Sequence, residues 1–179
     1  RYPERKIYIV DSLGASSGYG LLMDKLADLR DSGMSIEEVR DWAEENKLHL
    51  CHQFTVDDLH FLKRGGRISA TTAAVGSMLK IKPVLHVNNE GKLVNIGKAR
   101  GRKASLNTLV DRMEATAVNP GEQTVFISHG DSLEDAQYVA RLVSERMGVK
   151  DIRINYVGPV IGAHSGPGTL ALFYLGTER

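Results

Sequence analysis

Three polar side chains, distant in the chain, stand where the sequence could do chemistry. Ser12 follows Asp11 at the end of the apolar run Lys6–Val10 and opens a loop of small residues: Gly14, Ser16, Ser17, Gly18 and Gly20. A hydroxyl there can donate to a carboxylate or phosphate oxygen, and it serves equally well as a cap or turn serine. Arg67 follows Gly65 and Gly66, which let the backbone turn sharply and aim the guanidinium. That group can hold a carboxylate or phosphate through two hydrogen bonds, or it is a surface arginine placed favourably after a helix end. His164 lies between Gly162 and Gly166-Pro167-Gly168. An imidazole titrates close to neutrality and can carry or share a proton; its plainer role is to hold the loop through backbone hydrogen bonds.

Other chemistries find little support. His49, His52, His60, His86 and His129 are scattered and show no metal-ligand spacing, so no metal site is expected. Neither G-x-x-x-x-G-K-[ST] nor G-x-S-x-G occurs. Gly166-Pro167-Gly168-Thr169-Leu170-Ala171 imitates a dinucleotide fingerprint, but the apolar run after it reads as a strand, not the helix that motif requires. A self-contained serine/histidine hydrolase acting on a lipid or small ester would need Ser12 and His164 to meet in the fold. A phosphate- or nucleotide-binding module is a third reading.

These residues must be positioned by alternating strands and helices. Lys6–Val10 reads as a short buried strand, and Leu21, Leu22, Leu26 and Leu29 keep helical spacing up to Gly33. Ser35 and Glu38 form a capping box for the next helix. Leu48, Leu50, His52 and Phe54 alternate as a strand, Val56–Arg64 reads as a short helix, and Ser69–Leu79 as an alanine-rich one. From Lys80 the texture changes to a hairpin turning at Asn88–Gly91. Then come a helix from about Lys103 to Ala117, a strand Thr124–Ser128, a helix opened at Ser132 and ended by Gly148, and a strand Asp151–Val157. Val157–Gly168 reads as a rigid, irregular loop, and Leu170–Leu175 as a buried strand. The class is α/β with a mixed sheet. The boundary lies near residue 80, giving units 1–80 and 81–179. The basic cluster Lys98, Arg100, Arg102 and Lys103 is most simply a solvated face.

With 179 residues, 42% hydrophobic and 25% charged, the chain can build a core. A net charge of +1 argues against nucleic-acid binding by bulk electrostatics. One cysteine, Cys51, excludes an internal disulfide and suits a reducing, cytoplasmic setting. No apolar run reaches membrane-spanning length, and the abrupt start on a strand suggests a fragment or a processed chain.

Four ordered motifs together resemble one family. They are Asp11-Ser12 with Ser16-x-Gly18-x-Gly20; Phe54-x-Val56-x-Asp58-Leu59-x-x-Leu62-Lys63-x-Gly65-Gly66-Arg67-Ile68; Leu79-x-Ile81-Lys82-Pro83-Val84-Leu85 with Gly91-x-Leu93; and Gly158-x-x-Ile161-Gly162-x-His164-x-Gly166-Pro167-Gly168. Across essentially the whole chain these are similar to the DegV family, the fatty-acid-binding subunits of bacterial fatty acid kinase. The resemblance implies a two-domain α/β fold, here with an incomplete N-terminal domain, that binds one long-chain fatty acid between its domains. It implies that Ser12, Arg67 and His164 gather at the carboxyl group, supported by Asp11, Gly66, Gly162, Gly166 and Gly168. Arg100 and Arg102 lie in a second family-like stretch. The implied partner is a separate ATP-binding kinase subunit that supplies ATP and Mg²⁺ and forms the acyl phosphate; this chain would carry no cofactor or catalytic residue of its own. It admits a peripheral or transient membrane contact. Family members carry roughly another third of chain before the Asp-Ser strand, including a Thr/Ser loop that reaches the head group.

Overall fold

A computed structural model describes residues 2–69 and 80–179. Its centre is one six-stranded sheet. In chain order the elements are α1 (Ser16–Asp31), α2 (Ile36–Asn46), β1 (Leu50–Thr55), α3 (Leu59–Arg64), β2 (Ile81–Val87), β3 (Leu93–Arg100), α4 (Arg102–Thr116), β4 (Thr124–His129), α5 (Leu133–Met147), β5 (Asp151–Tyr156), α6 (Pro159–Ser165) and β6 (Leu170–Leu175). The strands lie in the order β3-β2-β1-β6-β4-β5. All neighbours are antiparallel except β4 and β5, which α5 connects as a parallel crossover.

The sheet is covered on both faces, so its middle strands are buried along their length. Alternate residues feed two cores. Cys51, Val125, Ile127, Leu170, Leu172 and Tyr174 pack under α4 and α5. Leu50, Phe54, Phe126, Ala171 and Phe173 pack under α1 and α3. The α/β class and mixed sheet match the reading of the sequence, as do the Ser35–Glu38 capping box, with both reciprocal bonds formed, and the β2–β3 hairpin. Pro83 falls one residue before a bulge at Val84/Leu85, where a strand tolerates a missing donor. The boundary expected near residue 80 falls between β1 and β2, and β1 pairs with both β2 and β6, so the sheet runs across it.

Two local expectations are corrected. Lys6–Val10 joins no ladder, and Ile7 and Ile9 are 69% and 93% exposed. Apolar alternation makes a strand only where backbone donors and acceptors find a neighbour, and among the described residues this run has none. Instead Lys6 and Tyr8 donate to Glu37 on α2, and Arg40 lies over the Tyr8 ring. The glycine-rich stretch before β6 is not wholly irregular either. Pro159 starts the helix α6, which carries Gly162 and His164. Proline at the first helical position is preorganised for a helix and loses no needed donor. The alanine-rich helix expected over Ser69–Leu79 lies almost entirely outside the described residues.

Lys98, Arg100 and Lys103 are exposed, as a solvated face would have it, but Arg102 is half-buried. Arg102 Nε donates to Asp135 at 2.8 Å, and its Nη1 lies 3.6 Å from Asp57, which also pairs with Lys82 at 2.8 Å. Asp57 occupies the space that a Cβ on Gly168 would fill. The network therefore ties the approach to α3, the starts of α4 and α5, and the loop after α6 into one block.

Candidate functional site

The α1-covered side of the sheet carries a partly open cavity of about 420 Å³. The first turn of α1, β1, the end of α3, the β2–β3 turn and α6 close around it. Phe54, Leu62, Val87, Leu93 and Phe173 supply apolar wall; Ser16, His52, Arg67, Ser128 and His164 supply polar groups.

The end of α3 explains how Arg67 gets there. The Gly66 N–H donates to Lys63 O, the Arg67 N–H donates to Leu62 O, and Gly66 has φ +70°. That is a Schellman ending, whose left-handed position favours glycine. It reverses the chain and delivers Arg67, whose Nη1 donates to Gly65 O at 2.5 Å. Gly65 does a different job. It has an ordinary helical φ of −73°, but a Cβ there would overlap Nδ1 of His164. The ring thus lies directly on the Gly65 backbone. Reciprocally, a Cβ on Gly166 would stand 2.6 Å from the Phe61 ring. Two rings seated on two glycines lock α3 to α6, and so Arg67 to His164. Gly65→Ala is therefore expected to displace the His164 ring while the Schellman turn persists. The His164 ring resonances should move in NMR spectra, and in a His164→Ala background the same change should shift the neighbouring amides far less. Equal shifts in both backgrounds would contradict the seat.

The approach to α1 is built as tightly. Asp11 Oδ1 accepts the Leu13 N–H at 3.0 Å, and Ser12 Oγ accepts the Gly14 N–H at 3.3 Å. The Ser12 carbonyl accepts from Arg179 Nη2. Ser12 thus sits in the turn that leads to the cavity. Of the hydroxyls on the wall, Ser165 and Thr169 donate to Ile161 O and Gly166 O, and the other two belong to Ser16 and Ser128. Their oxygens are 3.1 Å apart. Two hydroxyls carry two hydrogens and spend one on that bond, which leaves a donor for a ligand oxygen. The Ser12–His164 pair needed by a hydrolase would ask the Ser12 hydroxyl to leave its turn. Of the expected supporting residues, Asp11 braces that turn, Gly66 lines the cavity beside Arg67, Gly162 lies within α6, and Gly166 and Gly168 admit Phe61 and Asp57.

His52 also faces the cavity and is 3% exposed. Its Nδ1–H donates to Leu50 O at 2.8 Å, so Nε2 keeps its lone pair and accepts the Ala15 N–H at 3.4 Å. Burial, helped by the Arg179 charge, pushes its pKa down to about 4. Ser16, Ser128 and His52 were missed as site residues in the sequence. Ser16 stands in a quoted motif, and His52 alternates with Leu50 and Phe54, so both left some signal. No group of His, Cys, Asp or Glu among the described residues is arranged to hold a metal ion.

Comparison with known proteins agrees with this architecture. A family model described as "Uncharacterised protein, DegV family" matches residues 1–177. The DegV domain-containing protein CPE0026 of Clostridium perfringens is 54% identical over 179 residues, which is 100% of this chain and 62% of that protein. A Streptococcus pneumoniae structure described as Fatty Acid Kinase (Fak) B3 protein loaded with linoleic acid superimposes with TM-score 0.88 at 26% identity, covering 97% of this chain and 61% of that one. A DegV family protein from Ruminococcus gnavus, refined with vaccenic acid, gives TM-score 0.85 at 29% identity, covering 96% and 61%. This chain thus spans about three-fifths of the length of the relatives it matches. On the family match over nearly its whole length, the four motifs and the shared fold, the chain belongs to the DegV family.

Proposed function

We propose that the intact protein binds a long-chain fatty acid in this cavity and presents its carboxyl group to a separate, ATP-dependent fatty acid kinase subunit. The observation that carries the reading is a cavity of about 420 Å³ with an apolar body and clustered hydroxyl, imidazole and guanidinium groups. Pockets of about 300–1,000 Å³ suit small ligands. Each buried methylene contributes about 0.8 kcal/mol, so fourteen give roughly 11 kcal/mol of gross drive before ordering costs. A carboxylate buried without partners would oppose that strongly. The Ser16–Ser128 pair offers a donor, Arg67 a positive charge and His164 an imidazole N–H. The fatty acids named for the S. pneumoniae and R. gnavus relatives support this ligand class.

The role is one of binding and presentation, with ATP and Mg²⁺ held by the partner. In the joint reaction a carboxylate oxygen attacks the γ-phosphorus, the bond to the β–γ bridging oxygen breaks, and ADP leaves. This chain's part is to hold the carboxylate still and steady its charge as the new bond forms. A cytoplasmic setting suits such a partner and its ATP. No helix of the described residues is long and apolar enough to cross a membrane.

Mass spectrometry tests the reading. Native spectra of the intact protein should show one added mass that denaturing extraction releases as a long-chain fatty acid. His164→Ala should keep that lipid and lose acyl-phosphate formation with kinase and ATP. An empty protein from several hosts that also takes up no added fatty acid would overturn it.

A further inference from the structure

The buried imidazole of β1 has no place in the reading above, and its surroundings are unusually specific. We propose that His52 is the positioning residue for the acid-binding end of the cavity: its ring fixes the first turn of α1, and with it the Ser16 hydroxyl, in the geometry that receives a carboxyl group. The proposal rests on the fatty-acid reading and adds to it a residue that sets selectivity for the acid.

Four observations converge. The Nδ1–H bond to Leu50 O orients the ring from its own strand. The lone pair that this leaves on Nε2 takes the N–H of Ala15, the residue capping α1. The ring lies so close to the turn that a Cβ on Gly14 would be 2.8 Å from Nε2, and one on Gly18 would overlap it. Ser16, one residue after the captured N–H, has φ +56°. A non-glycine residue in that left-handed region costs of order 1–3 kcal/mol and persists only where its surroundings over-determine it. Here those surroundings are His52 below the turn and Ser128 across it, 3.1 Å from the Ser16 hydroxyl. The charged group that acts on the ring is Arg179, bound to the Ser12 carbonyl. The Asp11 carboxylate in the same turn accepts the Leu13 N–H. Phe173 on β6 presents an edge-on ring at 5.2 Å. Burial keeps the imidazole neutral at physiological pH, as its acceptor role requires.

A packing role and a positioning role predict different selectivity. Palmitic acid and 1-hexadecanol share a chain and differ in the head group. In the intact protein, His52→Phe should lower the affinity ratio of acid to alcohol by roughly tenfold, the scale of one hydrogen bond to a charged group. His52→Gln, whose side-chain carbonyl can accept the Ala15 N–H, should restore part of that ratio and serves if the Phe variant does not fold. Equal weakening of both ligands, or an unchanged ratio, would overturn the proposal. If the wild type binds neither ligand, the fatty-acid reading falls, and the lock is read separately. The Ala15 and Ser16 amide resonances should then shift in both variants, and unmoved resonances would overturn it.

Discussion

Phe173→Ala should lower stability by about 3–5 kcal/mol and enlarge the cavity at the same time. Phe173 is 2% exposed on β6, the strand between β1 and β4. It pairs in register with His52 on one side and Phe126 on the other, and Phe126 pairs with Arg153. The Arg153 guanidinium lies over the Phe126 ring at 5.3 Å and reaches Asp24 on α1 at 2.6 Å. A cross-strand row of ring, ring, ring and cation therefore spans four strands beneath α1. Deleting Phe173, one of its two inner members, removes contacts on both sides, and antiparallel strands cannot close the gap without losing register. For a chain of this length the midpoint of thermal unfolding should drop by roughly 10 °C. Urea unfolding should show a lower midpoint with the slope unchanged. Phe173 lines the cavity, so under the proposed function the preferred acyl chain should lengthen or gain bulk. A stability loss under about 1 kcal/mol, well below the usual cost of deleting a buried ring, would mean that the row carries no such weight.

Why Phe173 and His52 share a row could not be read from the sequence, although both strands could. Local rules made much of the chain legible. Ser35 and Glu38 start a helix wherever they fall three apart before an apolar run. Gly65-Gly66 ends one, and that ending aims Arg67 by backbone geometry alone. Both Arg67 and His164 could be singled out from such local patterns, and both line one cavity. Strand order is different in kind. β1 and β6 are joined by pairs such as Leu50 with Leu175, a separation that no local pattern reports. The exchange of Ser12 for Ser16 on the cavity wall has a similar cause. Leu13 and Ser16 both adopt positive φ, at 50° and 56°, without being glycine. Such conformations are imposed by tertiary contacts and leave no composition signal. His52 was legible as a strand residue, but its role depends on Gly14, Ala15 and Gly18 arriving over it from α1.

The buried state of His52 should also make stability depend on pH in a defined window. Its pKa falls from 6.5 to about 4, first because burial disfavours the charged ring and second because Arg179 repels it. Between those two values the unfolded chain binds a proton that the folded chain refuses, so stability rises with pH there. The contribution is complete above about pH 6.5 and is lost as pH falls toward 4, amounting to about 2–3 kcal/mol by pH 4.5. Glu37, lowered from 4.5 to about 2 chiefly by its hydrogen bond from Lys6, loses most of its contribution below pH 4.5. His86 is also lowered, by burial and then by Arg112 and Arg179, so it slopes in the same direction. The informative quantity is thus the difference between wild type and His52→Gln, in which His86 is common to both. Urea unfolding at pH 7 and pH 4.5 should show the Gln variant losing about 2 kcal/mol less than wild type across that interval. Parallel losses would show that the imidazole accepts its proton in the folded protein, which a ring receiving the Ala15 N–H on one nitrogen and spending the other on Leu50 O cannot do without breaking the turn that presents Ser16.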